Sequence, residues 1–344
     1  MKGVFLAIGP EGFGTYSVEG DRYEPVQGQP EGVLSPGLVD IHIHGAFGID
    51  FMSATNAEMV DLASKLEEDG YETWLPTTVT ATPEAISNAL ASIPQHRSIW
   101  GFHLEGPFIS PEFAGAQPPS LIVTPCSSDP AWQEIVDDSR LQVITMAPEV
   151  PGVLDLAKNL NARGVVVSMG HTNATFAQSQ LGWDAGFRHA THIFNAMRPF
   201  HHREAGAVGF ALAQEELNAE LIYDRLHVSP DAVKVLIRAK GKDHVIAVSD
   251  STMASGLPSG TKLKMWGHDC LVASGSVRIE SSGSLAGSAI TLRTAFQNLM
   301  QDFGAEIAIR ACCHNPRRAI GLQSEPKVRL VWSLDGELRE RIEL

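Results

Sequence analysis

Short runs dense in Val, Ile, Leu and Thr recur through the middle of the chain, and between them apolar residues return at three- and four-residue spacing among polar ones. The first pattern is that of buried strands and the second that of helices with one apolar stripe. Strand, helix, strand, helix in that order predicts a parallel sheet with crossover helices. Strands are predicted at 38–44, 72–79, 99–104, 141–146, 164–169, 187–191, 219–223 and 245–249. Eight such strands in roughly 210 residues point to an α/β fold closed as a (β/α)8 TIM-like barrel, typically about 250 residues long.

Helix boundaries are written in the same stretch. Thr82-Pro83 and Ser229-Pro230 each place a hydroxyl N-cap before a proline at the first helical position, and Gly241 is a stop. Thr55 opens NAEMVDLASKLEED, which ends at Gly70. Residues 1–36 have no helical period and close on Ser35-Pro36-Gly37, while the last two dozen read as two strands around Asp335-Gly336, a hairpin pair. Neither end can bury a core alone. The expected organisation is therefore a barrel at 37–320 beside a small β-sandwich domain built from 1–36 and 321–344.

Composition narrows the setting. With 344 residues, 44% hydrophobic and 19% charged, the chain belongs with ordinary globular proteins and not with disordered or fibrous ones. A formal charge of −14 repels nucleic acid and anionic membranes, so an anionic substrate needs a local basic pocket. The four cysteines, Cys126, Cys270, Cys312 and Cys313, form no C-x-x-C pair, which gives no disulfide framework or cysteine zinc site and suits a reducing cytoplasm. The opening MKGVFLAIGPEG is too short an apolar run for a signal or a span, and the mature chain is expected to be the whole chain.

The chemistry gathers where barrel enzymes keep it, at the C-terminal ends of the strands. Strand one ends in Asp40-Ile41-His42-Ile43-His44, strand three in His103-Leu104-Glu105, and strands five to eight at His171, His192, His227 and Asp250. On a strand, residues two apart share a face, so His42 and His44 can grip one ion together. Imidazole and carboxylate donors without thiolate suit a catalytic zinc or similar divalent metal, and Glu105, with two oxygens, can bridge two ions. Each piece alone has a plain structural reading; that many polar groups buried together without a metal would be costly. A metal beside Asp250 points to hydrolysis, with Asp250 as general base and then general acid.

Five strings carry a family resemblance: P-G-L-V-D-I-H-I-H-G (36–45), H-L-E-G-P-F-I (103–109), G-H-T-N-A-T (170–175), A-T-H-I-F-N-A-M (190–197) and V-S-D-S-T-M (248–253). Together they resemble the amidohydrolase superfamily, and within it the N-acetylglucosamine-6-phosphate deacetylase family. The resemblance implies that Glu105, His171 and His192 hold the principal metal and that Asp250 is the acid/base. With His42 and His44 also present, two ions are expected. It implies substrate contacts at Ala116, Asn195, Ala196, Arg203, His227, Leu285, Ala286 and Gly287, with Arg203 and His227 as the basic pocket for a phosphate. It also implies a cytoplasmic homodimer.

Three departures from the family pattern bear on the substrate. Gln117 stands where a histidine is usual, Arg225 where a glycine is usual, and the C-terminal portion is shorter. Gln117 and Arg225 keep a galactosamine isomer, or another amide or cyclic imide, open as the substrate. A silent, non-catalytic scaffold ranks below both because the ligands are retained. The stretch G-S-L-A-G-S (283–288) lacks the G-K-[ST] ending of a phosphate loop and is read as a substrate-side loop opening the last helix. Cys312 and Cys313 are read as buried packing.

Overall fold

A computed structural model describes residues 1–125, 130–273 and 275–344. All eight predicted barrel strands are present: β1 (Leu38–Ile43), β2 (Tyr71–Pro76), β3 (Phe102–Glu105), β4 (Leu141–Met146), β5 (Val166–Met169), β6 (Phe187–Ala190), β7 (Asn218–Ile222) and β8 (Val245–Val248). Strands β3 to β8 form one parallel sheet in sequence order, and β1 pairs with β2 in parallel. Two seams curl these into a ring. Parallel bridges Trp74–Ile99 and Thr77–His103 join β2 to the β3 side. At the other seam Ile43 bridges Ser251, and Asp250 N–H donates to the His42 carbonyl at 2.9 Å.

Helices cross between the strands as the periodicity predicts: α1 (Asn56–Glu68), α2 (Pro83–Ser92), α3 (Pro130–Asp137), α4 (Val153–Ala162), α5 (Phe176–Asp184), α6 (Gly206–Ala213), α7 (Pro230–Lys240) and α8 (Leu292–Phe303). Thr55 caps α1 in a reciprocal capping box with Glu58. Thr82 and Ser229 accept from the third backbone N–H of α2 and α7. A separate buried cluster of Val39, Ile41, Leu75, Val143, Ile222, Ile246 and Val248, from five of the strands, is the barrel's own core. It is a floor beneath the mouth, so the polar side chains above it sit on a rigid base.

Both termini enter one six-stranded sheet, in the order 338–343, 328–332, 32–36, 2–9, 12–19, 22–25. The Asp335-Gly336 hairpin is observed, with Val331 opposite Glu340. Trp332 stacks on Phe296 of α8 at 4.1 Å between ring centroids and donates its indole N–H to Ser35 at 2.9 Å. Full burial of an apolar ring such as Phe296 is worth about 1.5–3 kcal/mol, and here it ties the sheet to the barrel.

One element departs from the sequence reading. Between β8 and α8 the chain builds a four-stranded antiparallel sheet from Lys262–Met265, His268–Ala273, Ser276–Ile279 and Leu285–Ser288. The segment 283–288 is therefore not a simple loop. Its strand pairs through Arg278–Leu285 and Ser276–Ser288, and α8 begins after Thr291.

Cys126 lies outside the described residues. Cys312 and Cys313 are fully buried, with Cys313 directed at the Pro36 carbonyl, and burial pushes both thiols up, Cys313 to about 12. They are packing residues, as the sequence suggested.

Candidate active site

The mouth opens into a cleft of about 190 Å³ whose floor is a cluster of four imidazoles and two carboxylates. Two groups are close enough to grip ions: His42, His44 and Asp250, and Glu105, His171 and His192. Glu105 stands between them. Its Oε1 lies 3.1 Å from His171 Nε2, 3.2 Å from His192 Nε2 and 3.3 Å from His42 Nε2, and its Oε2 lies 3.4 Å from His44 Nε2. Asp250 Oδ1 is 3.1 Å from His44 Nε2 and 3.5 Å from His42 Nε2.

The far nitrogens decide what these rings present. His44 Nδ1 meets the Thr77 carbonyl at 3.0 Å and His171 Nδ1 the Phe113 carbonyl at 2.9 Å. A carbonyl only accepts, so each Nδ1 carries a hydrogen and each ring turns its Nε2 into the cluster. His42 Nδ1 faces the Glu220 carboxylate at 3.4 Å with the same result. Nε2 atoms therefore face carboxylate oxygens at contact distance, an arrangement that needs positive charge between them, as protons on the rings or as a cation in their place. The field shows the same demand. Burial alone would push His42 down, yet Glu105, Glu220 and Asp250 hold its proton affinity well above the ordinary histidine range. Burial likewise opposes ionisation of Glu105, which the histidines nonetheless hold well below the usual carboxylate range. Nitrogen and oxygen donors fixed in this way fit one or two divalent cations.

Asp250 is buried, which disfavours its charge, but the hydrogen bond with His44 and the fields of His42, His44 and His192 keep its carboxyl below the usual range. It is ionised at neutral pH and able to accept a proton. His103 is not a member of the cluster. It is bonded on both sides, to the Ile41 carbonyl at 2.9 Å and Thr145 Oγ1 at 2.8 Å, and burial with the neighbouring His42 pushes it down to about 3.

Backbone strain marks the same residues. His171, His192 and Asp250 adopt left-handed φ angles of 46°, 30° and 45° immediately after their strands. Each such conformation costs about 1–3 kcal/mol in a residue with a side chain, and here it swings the side chain over the mouth. Gly287 lies against this turn. A Cβ there would come 2.6 Å from Thr252 Cγ2 and 3.0 Å from the Asp250 carbonyl, so only glycine fits.

Of the residues that the resemblance marked for substrate, Ala116, Asn195, Ala196, His227, Leu285 and Gly287 line the cleft. His227 is held by Asp224, whose Oδ2 meets its Nδ1 at 2.6 Å, which leaves Nε2 for the cleft. Ala286 instead packs with Met265, Cys270 and Val277 in the inserted sheet, because it alternates with Leu285 and Gly287 along a strand. Arg203 sits in the exposed loop His201–Glu204 and is not among the residues that line the cleft. Arg225 also points elsewhere. Its guanidinium forks the Asp302 carboxylate at 2.7 and 2.9 Å, on a backbone at φ 65°.

Sequence reasoning missed two participants, Trp266 and Glu220, and singled out Gln117 without its bond to Glu105. Trp266, at the turn of the first inserted hairpin, lines the cleft edge-on to His44 at 5.1 Å. Glu220 on β7 lies buried beneath His42, close to His189 at 3.5 Å. Gln117 bonds directly to Glu105. The inward alternation of β7 pointed to Glu220; no periodicity pointed to Trp266.

A barrel with this mouth defines a class, the metal-dependent hydrolases, and the chain belongs to the amidohydrolase family, whose model matches residues 33–325. Among relatives it is 35% identical over 317 residues to an N-acetylglucosamine-6-phosphate deacetylase of Bacillus subtilis, covering 88% of this chain and 79% of that one. It is 34% identical over 300 residues to an N-acetylgalactosamine-6-phosphate deacetylase of Escherichia coli O157:H7, covering 84% and 78%. A variant N-acetyl-D-glucosamine-6-phosphate deacetylase of Mycobacterium smegmatis, solved in complex with N-acetyl-D-glucosamine-6-phosphate, superposes with a TM-score of 0.86 at 28% identity, covering 96% and 93%.

Proposed function

We propose that this chain hydrolyses the acetamide of N-acetylglucosamine-6-phosphate to glucosamine-6-phosphate and acetate in amino-sugar metabolism. The observation that carries this is the pairing of two three-ligand groups with an ionised Asp250 at one mouth. Glu105, His171 and His192 would hold one ion, and His42, His44 and Asp250 the other. A bound divalent ion, for which zinc suits the donors best, supplies charge stabilisation at the amide carbonyl and eases ionisation of water. Asp250 takes the proton of the attacking water and returns it to the departing nitrogen. His227, anchored by Asp224, orients the sugar, while Asn195 and the backbone at Ala196 and Leu285–Gly287 complete the cleft wall.

The phosphate is assigned to Arg203. Because that residue stands outside its own chain's cleft, beside the 60% exposed Phe200, we place it at the cleft of a second copy in a homodimer. Arg203→Ala is expected to raise KM for the phosphorylated sugar by about 10–100-fold, the worth of a charged hydrogen bond, with kcat little changed. Steady-state kinetics decide this; an unchanged KM removes Arg203 from the site. Arg225→Gly loses a surface ion pair but relieves a left-handed backbone, so its melting temperature shifts by only a few degrees and KM stays within about twofold. A large KM change in Arg225→Gly would instead place Arg225 at the substrate.

The galactosamine isomer is the second reading, supported by the similarity to the Escherichia coli enzyme and by Gln117. Acetate release from the two phosphorylated isomers side by side separates them. The three free cysteines among the described residues support a cytoplasmic setting. The separately buried Phe5, Ala7, Tyr16, Val18, Leu34 and Val331 support reading residues 1–36 and 321–344 as a small β domain beside the barrel at 37–320, on one six-stranded sheet where a sandwich was expected.

A further inference from the structure

We infer that Gln117 sets the metal stoichiometry of the site, by holding the oxygen of Glu105 that the His42–His44–Asp250 group would share and so making that group the weaker cation site. The inference rests on the metal reading given above.

Gln117 is 5% exposed and lies in the loop that enters the cleft after Phe113. Its amide orientation is decided by chemistry. The backbone N–H of Thr80, which can only donate, meets Gln117 Oε1 at 2.8 Å. The NH2 end must therefore point the other way, and it donates to Glu105 Oε2 at 2.6 Å. A side chain pinned at both ends cannot turn aside cheaply.

The two oxygens of Glu105 are thereby unequal. Oε1 faces His171, His192 and, at 3.3 Å, His42 with no amide upon it, while Oε2, the oxygen nearest His44 at 3.4 Å, already carries a charge-assisted hydrogen bond. A carboxylate oxygen that accepts from an N–H has less electron density to offer a cation, and a cation approaching it must compete with or displace the amide. The cost falls on one group only. Glu105, His171 and His192 keep an unencumbered Oε1, whereas His42, His44 and Asp250 have Oε2 weakened beside His44 and must share Oε1, near His42, with the first group. Gln117 is a positioning residue in this account: it acts through Glu105 and settles which site fills first.

Titration of metal-free protein with Zn²⁺ against a competing chromophoric chelator resolves the two steps without reference to activity. In the unmodified protein the first ion is expected to bind at least about tenfold more tightly than the second. Gln117→Met removes the donor, and Gln117→Asn keeps the amide but is one methylene too short to span Thr80 and Glu105. Both variants should tighten the second step by about tenfold and leave the first within about threefold. A merely structural role would weaken both steps together. Two equally tight steps in the unmodified protein, or a second step that neither folded variant moves, overturns the inference. Unmodified protein that binds no Zn²⁺ overturns the metal reading beneath it, an outcome distinguishable from both.

Discussion

Replacing Asp250 by asparagine lowers kcat for acetate release by about 10²–10⁴-fold, the range that a positioned acid/base contributes. Asparagine has the same shape and, more readily than most residues, adopts the left-handed backbone of φ 45° found here, so the turn beside Gly287 survives. What it loses is the charge that His42, His44 and His192 stabilise and the capacity to take up a proton. The melting temperature should accordingly move little while turnover collapses. Measuring both on one preparation makes the prediction sharp: a variant that folds and retains a tenth or more of its turnover removes Asp250 from the proton transfer.

Stripping the protein with a chelator is expected to reduce hydrolysis by about 10³-fold or more, since several kcal/mol of charge stabilisation is lost, and re-addition of a divalent cation should restore it. The same treatment should lower the melting temperature. Imidazole nitrogens packed 3.1–3.4 Å from the oxygens of Glu105 and Asp250 lose the cation between them, and an ion that binds only the folded state stabilises it by mass action. His171→Ala should mimic the stripped protein and resist restoration. Full activity in protein shown to be metal-free would end this account of the cluster.

The barrel was legible because several of its strands, such as Val245–Val248 and Leu141–Met146, are short apolar runs bounded by helical periods, and because Thr55, Thr82 and Ser229 announce their helices with side-chain caps that the structure contains. The six clustered polar residues were legible for a related reason: they stand at or within two residues of the C-terminal ends of the strands, where strand order brings them to one mouth. The inserted sheet escaped because its strands are short and carry charges at alternate positions, as in Lys262–Met265. The bond from Gln117 to Glu105 escaped because it joins a loop to a strand end across an irregular path that no periodicity encodes. Arg203 and Arg225 show the opposite limit. Sequence gave both a basic charge near the substrate motifs, and only the folded chain shows one on an exposed loop and the other engaged with Asp302.

Acetate release from N-acetylglucosamine-6-phosphate, measured on protein of known metal content beside the unphosphorylated sugar and the galactosamine isomer, decides between the glucosamine and galactosamine readings. Hydrolysis is expected to rise with metal loading and to fall sharply when the phosphate is absent. Fully loaded protein that releases no acetate from any of the three sugars would contradict the deacetylase reading.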